Sequence, residues 1–233
     1  MQDSVDLENN LPEAKELLTE ENLKLELSHS GLREIAWIFN DKEIFTEENI
    51  QALQLHPKPI VLSETIILLH KIGILNQQNL KIVLSHSELE IVNLMLNTLQ
   101  EVGIFNQESF EKALSHQKLK PLKLSLYYLQ EAGMLTQENF EHVLRYREAV
   151  CIALSLSYLR EMGILTQENF ESIRLHEKPI CIERTLSFLD KAGILTQENF
   201  EGVVSHTKLE TVHRIQKLVQ EAGLLTQQNF ESI

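Results

Sequence analysis

The nonapeptide GILTQENFE occurs at residues 163–171 and again, unchanged, at residues 193–201. Two unrelated surface loops have no reason to match, and a catalytic loop is normally needed only once. A segment that returns at a fixed interval is typical of a repeated structural unit. The interval of thirty residues is therefore the first property of this chain that needs a physical explanation.

Glycines mark the same interval through most of the chain. Six of the eight glycines follow one another at this spacing, at positions 73, 103, 133, 163, 193 and 223. Two degenerate copies precede them, with Glu16 and Glu43 in the glycine position. Repeats are thus predicted to start near residues 16, 43, 73, 103, 133, 163, 193 and 223, and the last one is incomplete.

The unit around Gly133 begins with an amphipathic helix. Apolar or small residues recur on one face of it, at Leu122, Ser125, Leu126, Leu129 and Ala132. This spacing predicts a helix that buries one stripe. The glycine then ends the helix in a left-handed conformation that strains other residues, with Leu129 and Met134 as the hydrophobic pair of a Schellman stop.

The rest of the repeated phrase predicts a corner and a second helix. Thr136 is placed to cap the second helix, and Glu138 lies in its first turn, where the helix dipole favours negative charge. Leu135 and Phe140 have the spacing of a hydrophobic staple, which sets the angle of entry. The phrase recurs because every unit needs the same corner.

The second helix is predicted to be short and to end at a column of histidines. The column consists of His29, His56, His86, His116, His176 and His206, with Tyr146 in the remaining equivalent position. At a helix end, histidine can bond the last carbonyls and complement the dipole, which is the role we expect. A pH switch or a metal ladder is the alternative. Neighbouring units lie about 10 Å apart, too far for one ligand per unit to converge on an ion.

Short helices are marginal in water, so each helical pair must bury its apolar faces against its neighbours. The sequence therefore predicts an all-α, right-handed solenoid of about seven 30-residue repeats, forming a single domain over residues 16–233. Residues 1–15 are predicted to be a polar N-terminal cap. The final segment, TQQNFESI, predicts either a lone capping helix or a natural chain that continues.

Charge and composition narrow the function. The chain has 34 acidic and 21 basic residues, a formal charge of −13. Such a field repels phosphate backbones and anionic membranes, so nucleic acid is not a predicted partner. No apolar run approaches the roughly 18 residues that a spanning helix needs, so membrane insertion is not predicted either. The two cysteines, Cys151 and Cys181, do not form a disulfide framework, and they fit a reducing, cytosolic compartment. We expect both to be small buried residues.

No enzyme or cofactor is predicted. The sequence has no phosphate-binding loop, dinucleotide fingerprint, zinc-protease motif or nucleophile elbow. Most of its glycines are explained by helix stops.

The best candidates for contact with a partner are residues that depart from the repeat. Tyr127 replaces Asn or Ser, and the stretch at 144–150 introduces Arg and Tyr where other copies have Leu or Ser and His. Arg and Tyr are favoured in interfaces. The candidate partner-binding set is Lys118, Lys120, Lys123, Tyr127, Arg145, Tyr146, Arg147, Arg160, Arg174 and Lys178. The alternative is that these are scattered, solvated side chains.

The helical pairs resemble tetratricopeptide-like repeats, although the unit has thirty residues and lacks the Trp-x-x-Leu-Gly-x-x-Tyr signature. The AGxLTQENFE phrase at 132–141 and 192–201 is similar to repeats in type IV-secreted effectors of intracellular bacterial pathogens. This resemblance covers residues 16–233. It implies a protein delivered from a bacterium into the host cytosol that binds a host protein, or another effector whose activity it regulates. It provides no catalytic residues.

The function predicted from these observations is a protein–protein interaction scaffold, a monomer whose curved repeat surface binds and regulates or recruits a partner. The alternative is a targeting arm of an enzyme whose catalytic domain lies beyond residue 233. A metal- or pH-responsive module is a third hypothesis.

Overall fold

Residues 38, 44, 46–145, 149–206, 209–230 and 232 are described by the computed structural model. Thirteen α-helices and no strands occur in this part of the chain. The short helices are α1 (Glu47–Leu55), α3 (Gln77–Ser85), α5 (Gln107–Ser115), α7 (Gln137–Arg145), α9 (Gln167–Leu175), α11 (Gln197–Ser205) and α13 (Gln227–Phe230). The long helices are α2 (Pro59–Lys71), α4 (Leu89–Glu101), α6 (Leu119–Glu131), α8 (Ala149–Glu161), α10 (Pro179–Lys191) and α12 (Leu209–Glu221).

This alternation confirms the predicted all-α helical repeat, with one short and one long helix per unit. The predicted cap at 1–15, the degenerate copy that starts near 16 except for residue 38, and the positions Glu43 and His29 lie outside the described residues. The handedness of the solenoid and the single domain over residues 16–233 stay predictions.

Backbone contacts group the chain into two units. One ends at Gln100 and also contains Phe105–Phe110, and the other consists of Glu101–Ile104 and Glu111–Ile233. In the second unit, each long helix packs against the next one, in the order α6, α8, α10, α12. The short helices α7, α9 and α11 pack against the long helices beside them. In the first unit, α2 packs against both α1 and α3.

The core follows the predicted helical stripe with one exception. Leu122, Ser125, Leu126 and Leu129 of α6 are completely buried. The inclusion of Ala132 in the buried stripe is wrong, because that residue is the C-cap of α6 and is exposed. The chain leaves the helix at this point, so no neighbouring helix covers its methyl group.

The glycine corner has the predicted Schellman geometry. Gly133 has a φ of 67°, in the left-handed region. Its N–H donates to the carbonyl of Gln130 at 2.8 Å, and the N–H of Met134 donates to that of Leu129 at 2.7 Å. These two bonds satisfy carbonyls that the end of a helix would otherwise leave unpaired.

The start of the short helix also follows the prediction. The Oγ1 atom of Thr136 accepts the backbone N–H of Asn139 at 3.2 Å. Leu135 and Phe140, the two residues of the predicted staple, are both buried. The short helix begins at Gln137, directly after its cap. Local interactions within about five residues therefore determine each corner.

Carboxamide pairs, each of a buried asparagine and a more exposed glutamine, join successive short helices. Asn169 Nδ2 donates to the carbonyl of Ile164 at 2.7 Å and to Gln197 Oε1 at 2.6 Å, and Gln197 Nε2 donates back to Asn169 Oδ1 at 3.1 Å. The asparagines of these pairs are at most 4% exposed. Equivalent pairs are Asn49–Gln77, Asn79–Gln107, Asn139–Gln167 and Asn199–Gln227. The pairs explain why Gln and Asn recur in the repeated phrase.

Candidate interaction surface

One face of the long helices in the second unit is open to solvent. Each long helix contributes three positions to this face, a first residue and those four and seven residues later. Residues with this spacing lie on one side of a helix. We call this surface the long-helix face. Its residues are Lys120, Leu124 and Tyr127 on α6; Val150, Leu154 and Ser157 on α8; Ile180, Arg184 and Ser187 on α10; and Glu210, Arg214 and Lys217 on α12. Ser157, Ile180 and Ser187 are half-buried, and the other nine are exposed.

Apolar side chains are exposed where α6 and α8 contribute to this face. Leu124 is 40% exposed, Tyr127 37%, and Val150 and Leu154 are each 39% exposed. The two helices pack side by side, so four large apolar side chains occupy adjacent parts of the surface. Single exposed apolar residues are ordinary, but a group of them is typical of a contact surface. We call these four residues the apolar patch.

Arg160 lies over the tyrosines beside this patch. Its guanidinium carbon is 5.6 Å from the ring centroid of Tyr127 and 5.8 Å from that of Tyr128. Its Nη2 atom lies 3.1 Å from Glu131 Oε2. The structure thus brings together two residues of the predicted set, Tyr127 and Arg160. Cation–π contact and the ion pair fix the guanidinium at the border of the apolar patch.

A groove contains two other residues of the predicted set, Lys118 and Arg145. Lys112, His116, Glu141 and Leu144 also line it. Glu141 lies between two cations, with Oε1 3.3 Å from Lys112 Nζ and Oε2 3.6 Å from Arg145 Nη2. Hydrogen bonds from Gln137 and Lys112 lower the pKa of the Glu141 carboxyl. Glu141 is therefore shared by Lys112 and Arg145. With Lys118 also present, the positive charges that line the groove outnumber the negative ones.

The ammonium group of Lys118 makes no ion pair with the described residues, unlike its counterparts in other repeats. Equivalent lysines pair with a glutamate on the next long helix, as Lys58–Glu90 at 2.9 Å and Lys178–Glu210 at 2.8 Å. For Lys118, the equivalent position on the next long helix, α8, is occupied by Val150. Val150 thus leaves the Lys118 ammonium without an ion-pair partner in the described part of the chain and adds an apolar side chain to the exposed surface.

Arg174 belongs to the predicted set, but its side chain is only 13% exposed. Its Nη2 donates to Glu171, and this hydrogen bond lowers the pKa of that carboxyl. Its Nη1 lies 2.7 Å from His142 Nε2. The guanidinium is thus occupied by the protein's own side chains.

The remaining members of the predicted set differ in their positions. Lys120 and Lys123 lie on α6, exposed and half-exposed respectively. Lys178 is exposed but paired with Glu210. Tyr146 and Arg147 lie outside the described residues.

The histidine column makes a contact different from the predicted one. At His56, His86, His116 and His176, the Nδ1 atom accepts the backbone N–H of the residue two positions later, at 3.0–3.2 Å. The prediction that the rings bond the last helical carbonyls is wrong for these four. Each histidine's own backbone N–H already bonds a carbonyl three residues earlier. The ring instead contacts the turn into the next helix, and an Nδ1 that accepts this N–H is unprotonated. At His116 the same Nδ1 also lies 3.2 Å from the carbonyl oxygen of Lys118.

Cys151 and Cys181 are buried, as predicted. Across the described residues, no group of three or more His, Cys, Asp or Glu side chains could hold a metal ion. None of the helices in that part of the chain has the length and apolar character needed to cross a membrane.

No known protein family matches the chain. A search of curated proteins also finds no match.

Sequence reasoning missed the apolar residues and two of the arginines on the long-helix face. Leu124, Leu154, Val150, Arg184 and Arg214 were all absent from the predicted set. A signal was present, because Leu124 lies outside the helical stripe that predicts burial. An apolar residue outside the stripe is expected on the surface, and comparison of equivalent positions would have found it.

Proposed function

We propose that this chain is a protein-binding module that presents the long-helix face to a partner and regulates or recruits that partner without catalysis. The observation that carries the proposal is the apolar patch on α6 and α8, bordered by positively charged side chains. Large apolar and aromatic residues inside a polar rim are typical of the centre of a protein interface.

The scaffold favours such a role because it positions the patch before a partner arrives. Leu124 and Leu154 lie on helices whose opposite faces are completely buried, at Leu126 and Leu156 for example. Repeated caps and carboxamide pairs restrain the neighbouring short helices. A surface that is already ordered loses little conformational entropy on binding, so more of the contact energy appears as affinity.

The similarity of the repeated phrase to type IV-secreted effectors supports a more specific proposal. The partner would be a host protein in the cytosol, or a second effector whose activity this chain regulates. Both are compatible with a contact surface that consists of apolar and charged side chains and needs no cofactor.

Quantitative affinity capture tests the proposal. The native chain and the double variant Leu124→Ser/Leu154→Ser are used as baits in host-cell lysate. Leu175→Ser is the matched control, because Leu175 is 71% exposed but lies on the short helix α9. We expect at least one protein to be captured by the native chain and the control and lost with the double variant. Identical captured sets for all three baits would contradict a role for the apolar patch.

A further inference from the structure

We propose that the partner docks as an acidic amphipathic helix that crosses α6, α8, α10 and α12. Its apolar residues contact Leu124 and Leu154, and its carboxylates contact Arg184 and Arg214. This inference rests on the proposed function and adds the chemistry of the partner.

The geometric basis is one equivalent position followed across four helices. Leu124 on α6, Leu154 on α8, Arg184 on α10 and Arg214 on α12 are thirty residues apart and all exposed. Each of these helices packs against the next, so the four side chains follow one another across the face in that order. We call them the Leu–Leu–Arg–Arg row. With helix axes about 10 Å apart, the row extends over roughly 30 Å.

The two arginines have unused binding capacity. Neither Arg184 nor Arg214 makes a hydrogen bond or ion pair with the described residues, in contrast to Arg160 and Arg174. A guanidinium presents donors in a planar fork that matches a carboxylate.

Nearby carboxylates interact with these arginines through charge but make no ion pair with them among the described residues. Glu210 lies near Arg214 but is engaged by Lys178 at 2.8 Å. Glu183 is beside Arg184 in the sequence; burial raises the pKa of its carboxyl, and the charge of Arg184 opposes that shift without forming an ion pair. The hydrogen-bond donors of both guanidinium groups are therefore available to carboxylates of a partner.

Charge and polarity together favour an acidic amphipathic helix over other ligands. The net charge of −13 repels a uniformly anionic polymer such as nucleic acid. A short helix with two apolar and two acidic residues at matching places gains both burial and charge complementarity. Seven residues of a helix rise about 10.5 Å and return to nearly the same side. Residues seven apart on the partner therefore match the spacing of the row.

Fluorescence anisotropy with a synthetic probe tests the inference. The probe is a labelled helical peptide of about 24 residues, with Leu, Leu, Glu and Glu at seven-residue intervals on one face. Two control peptides have Lys in place of Glu, or the four residues distributed around the helix. We expect the Glu peptide to bind the native chain at least about tenfold more tightly than either control, with an affinity that falls as salt is added.

Variants of the protein locate the contact. We expect Arg184→Glu/Arg214→Glu to weaken the Glu peptide about tenfold or more and to gain affinity for the Lys peptide. Leu124→Ser/Leu154→Ser should weaken both peptides, and Leu175→Ser should change neither. Circular dichroism tests whether each variant keeps the helix content of the native chain. A variant that loses helix is replaced by Arg184→Gln/Arg214→Gln or by Leu124→Ala/Leu154→Ala.

Several results would overturn the inference. They are undetectable binding of the Glu peptide, binding of the Lys peptide as tight as that of the Glu peptide, and a Glu-peptide affinity that neither double variant changes. A native chain that is dimeric in sedimentation, and monomeric after Leu124→Ser/Leu154→Ser, would make a second copy the occupant. A partner captured through the apolar patch but insensitive to Arg184→Glu/Arg214→Glu would leave the proposed function standing and remove the acidic helix alone.

Discussion

A glycine-to-alanine substitution at a helix stop has opposite expected effects at two positions of this chain. Gly163 has a φ of 69°, and its N–H donates to the carbonyl of Arg160 at 2.9 Å. The adjoining Ile164 N–H donates to the carbonyl of Leu159 at 2.9 Å. Both bonds require the left-handed conformation. We therefore expect Gly163→Ala to destabilise the protein and Gly202→Ala, inside α11, to stabilise it.

The magnitudes follow from the local structure. A Cβ atom added at either glycine would meet nothing within 4 Å, so neither change creates a clash. For Gly163 the cost is conformational, about 1–2 kcal/mol for a left-handed alanine, partly offset by a stiffer unfolded chain. For Gly202, which is exposed and helical, alanine contributes about 0.5–1 kcal/mol. The two variants should differ by roughly 2 kcal/mol in free energy of unfolding.

Urea denaturation followed by circular dichroism measures this difference. Helical repeats do not always unfold in one step, so hydrogen exchange at Ile164 is measured as well. We expect a lower midpoint and faster exchange in Gly163→Ala, and a raised midpoint in Gly202→Ala. Equal shifts in the same direction, or a Gly163→Ala protein as stable as the native one, would refute the assignment of a required left-handed glycine.

Other expectations concern the carboxamide pairs, His86, and Lys118, which lacks the glutamate partner of Lys58 and Lys178. Gln197→Ala should cost about 1–3 kcal/mol, because it leaves the buried carboxamide oxygen of Asn169 unpaired, and Asn169→Ala should cost a similar amount, because it removes the donor to the Ile164 carbonyl. A double-mutant cycle should show coupling of at least about 0.5 kcal/mol, and additive effects would contradict the pair. Burial lowers the pKa of His86, so the unfolded chain takes up protons first as pH falls below about 6.5. The free energy of unfolding should therefore decrease as the pH falls from about 6.5 through the pKa of the folded state. In urea denaturation measured from pH 8 to 5, His86→Gln should make the midpoint less dependent on pH. Val150→Glu gives Lys118 the partner that equivalent lysines have, and should raise thermal stability by less than about 1 kcal/mol at low salt. A gain that persists in high salt would show that charge is not its cause.

Local chemistry explains how much of the fold could be predicted from the sequence. The stop at Gly133, the cap at Thr136 and the staple of Leu135 and Phe140 involve residues at most five positions apart. Their spacing and residue types contain nearly all the information that such interactions need. The stripe through Leu126 also predicted burial, because helical periodicity alone places it on the covered face.

The candidate site was predicted less completely, because its properties depend on neighbouring helices. Arg174 and Arg184 are equally plausible contact residues in the sequence. Glu171 lies three residues before Arg174 on the same helix, so the sequence spacing already allows that ion pair. Only the packing brings His142 to Arg174 and leaves Arg184 without an ion pair among the described residues.

The sequence by itself determined that the chain is built from repeated helical pairs with glycine stops and capped corners. The tertiary structure decided which side chains are exposed and which charges on neighbouring helices are already paired. The physical reason is distance along the chain. Asn169 and Gln197 are 28 residues apart, and Lys178 and Glu210 are 32 apart, yet each pair is in contact. Such contacts depend on how one helix packs against the next, and local spacing does not specify that.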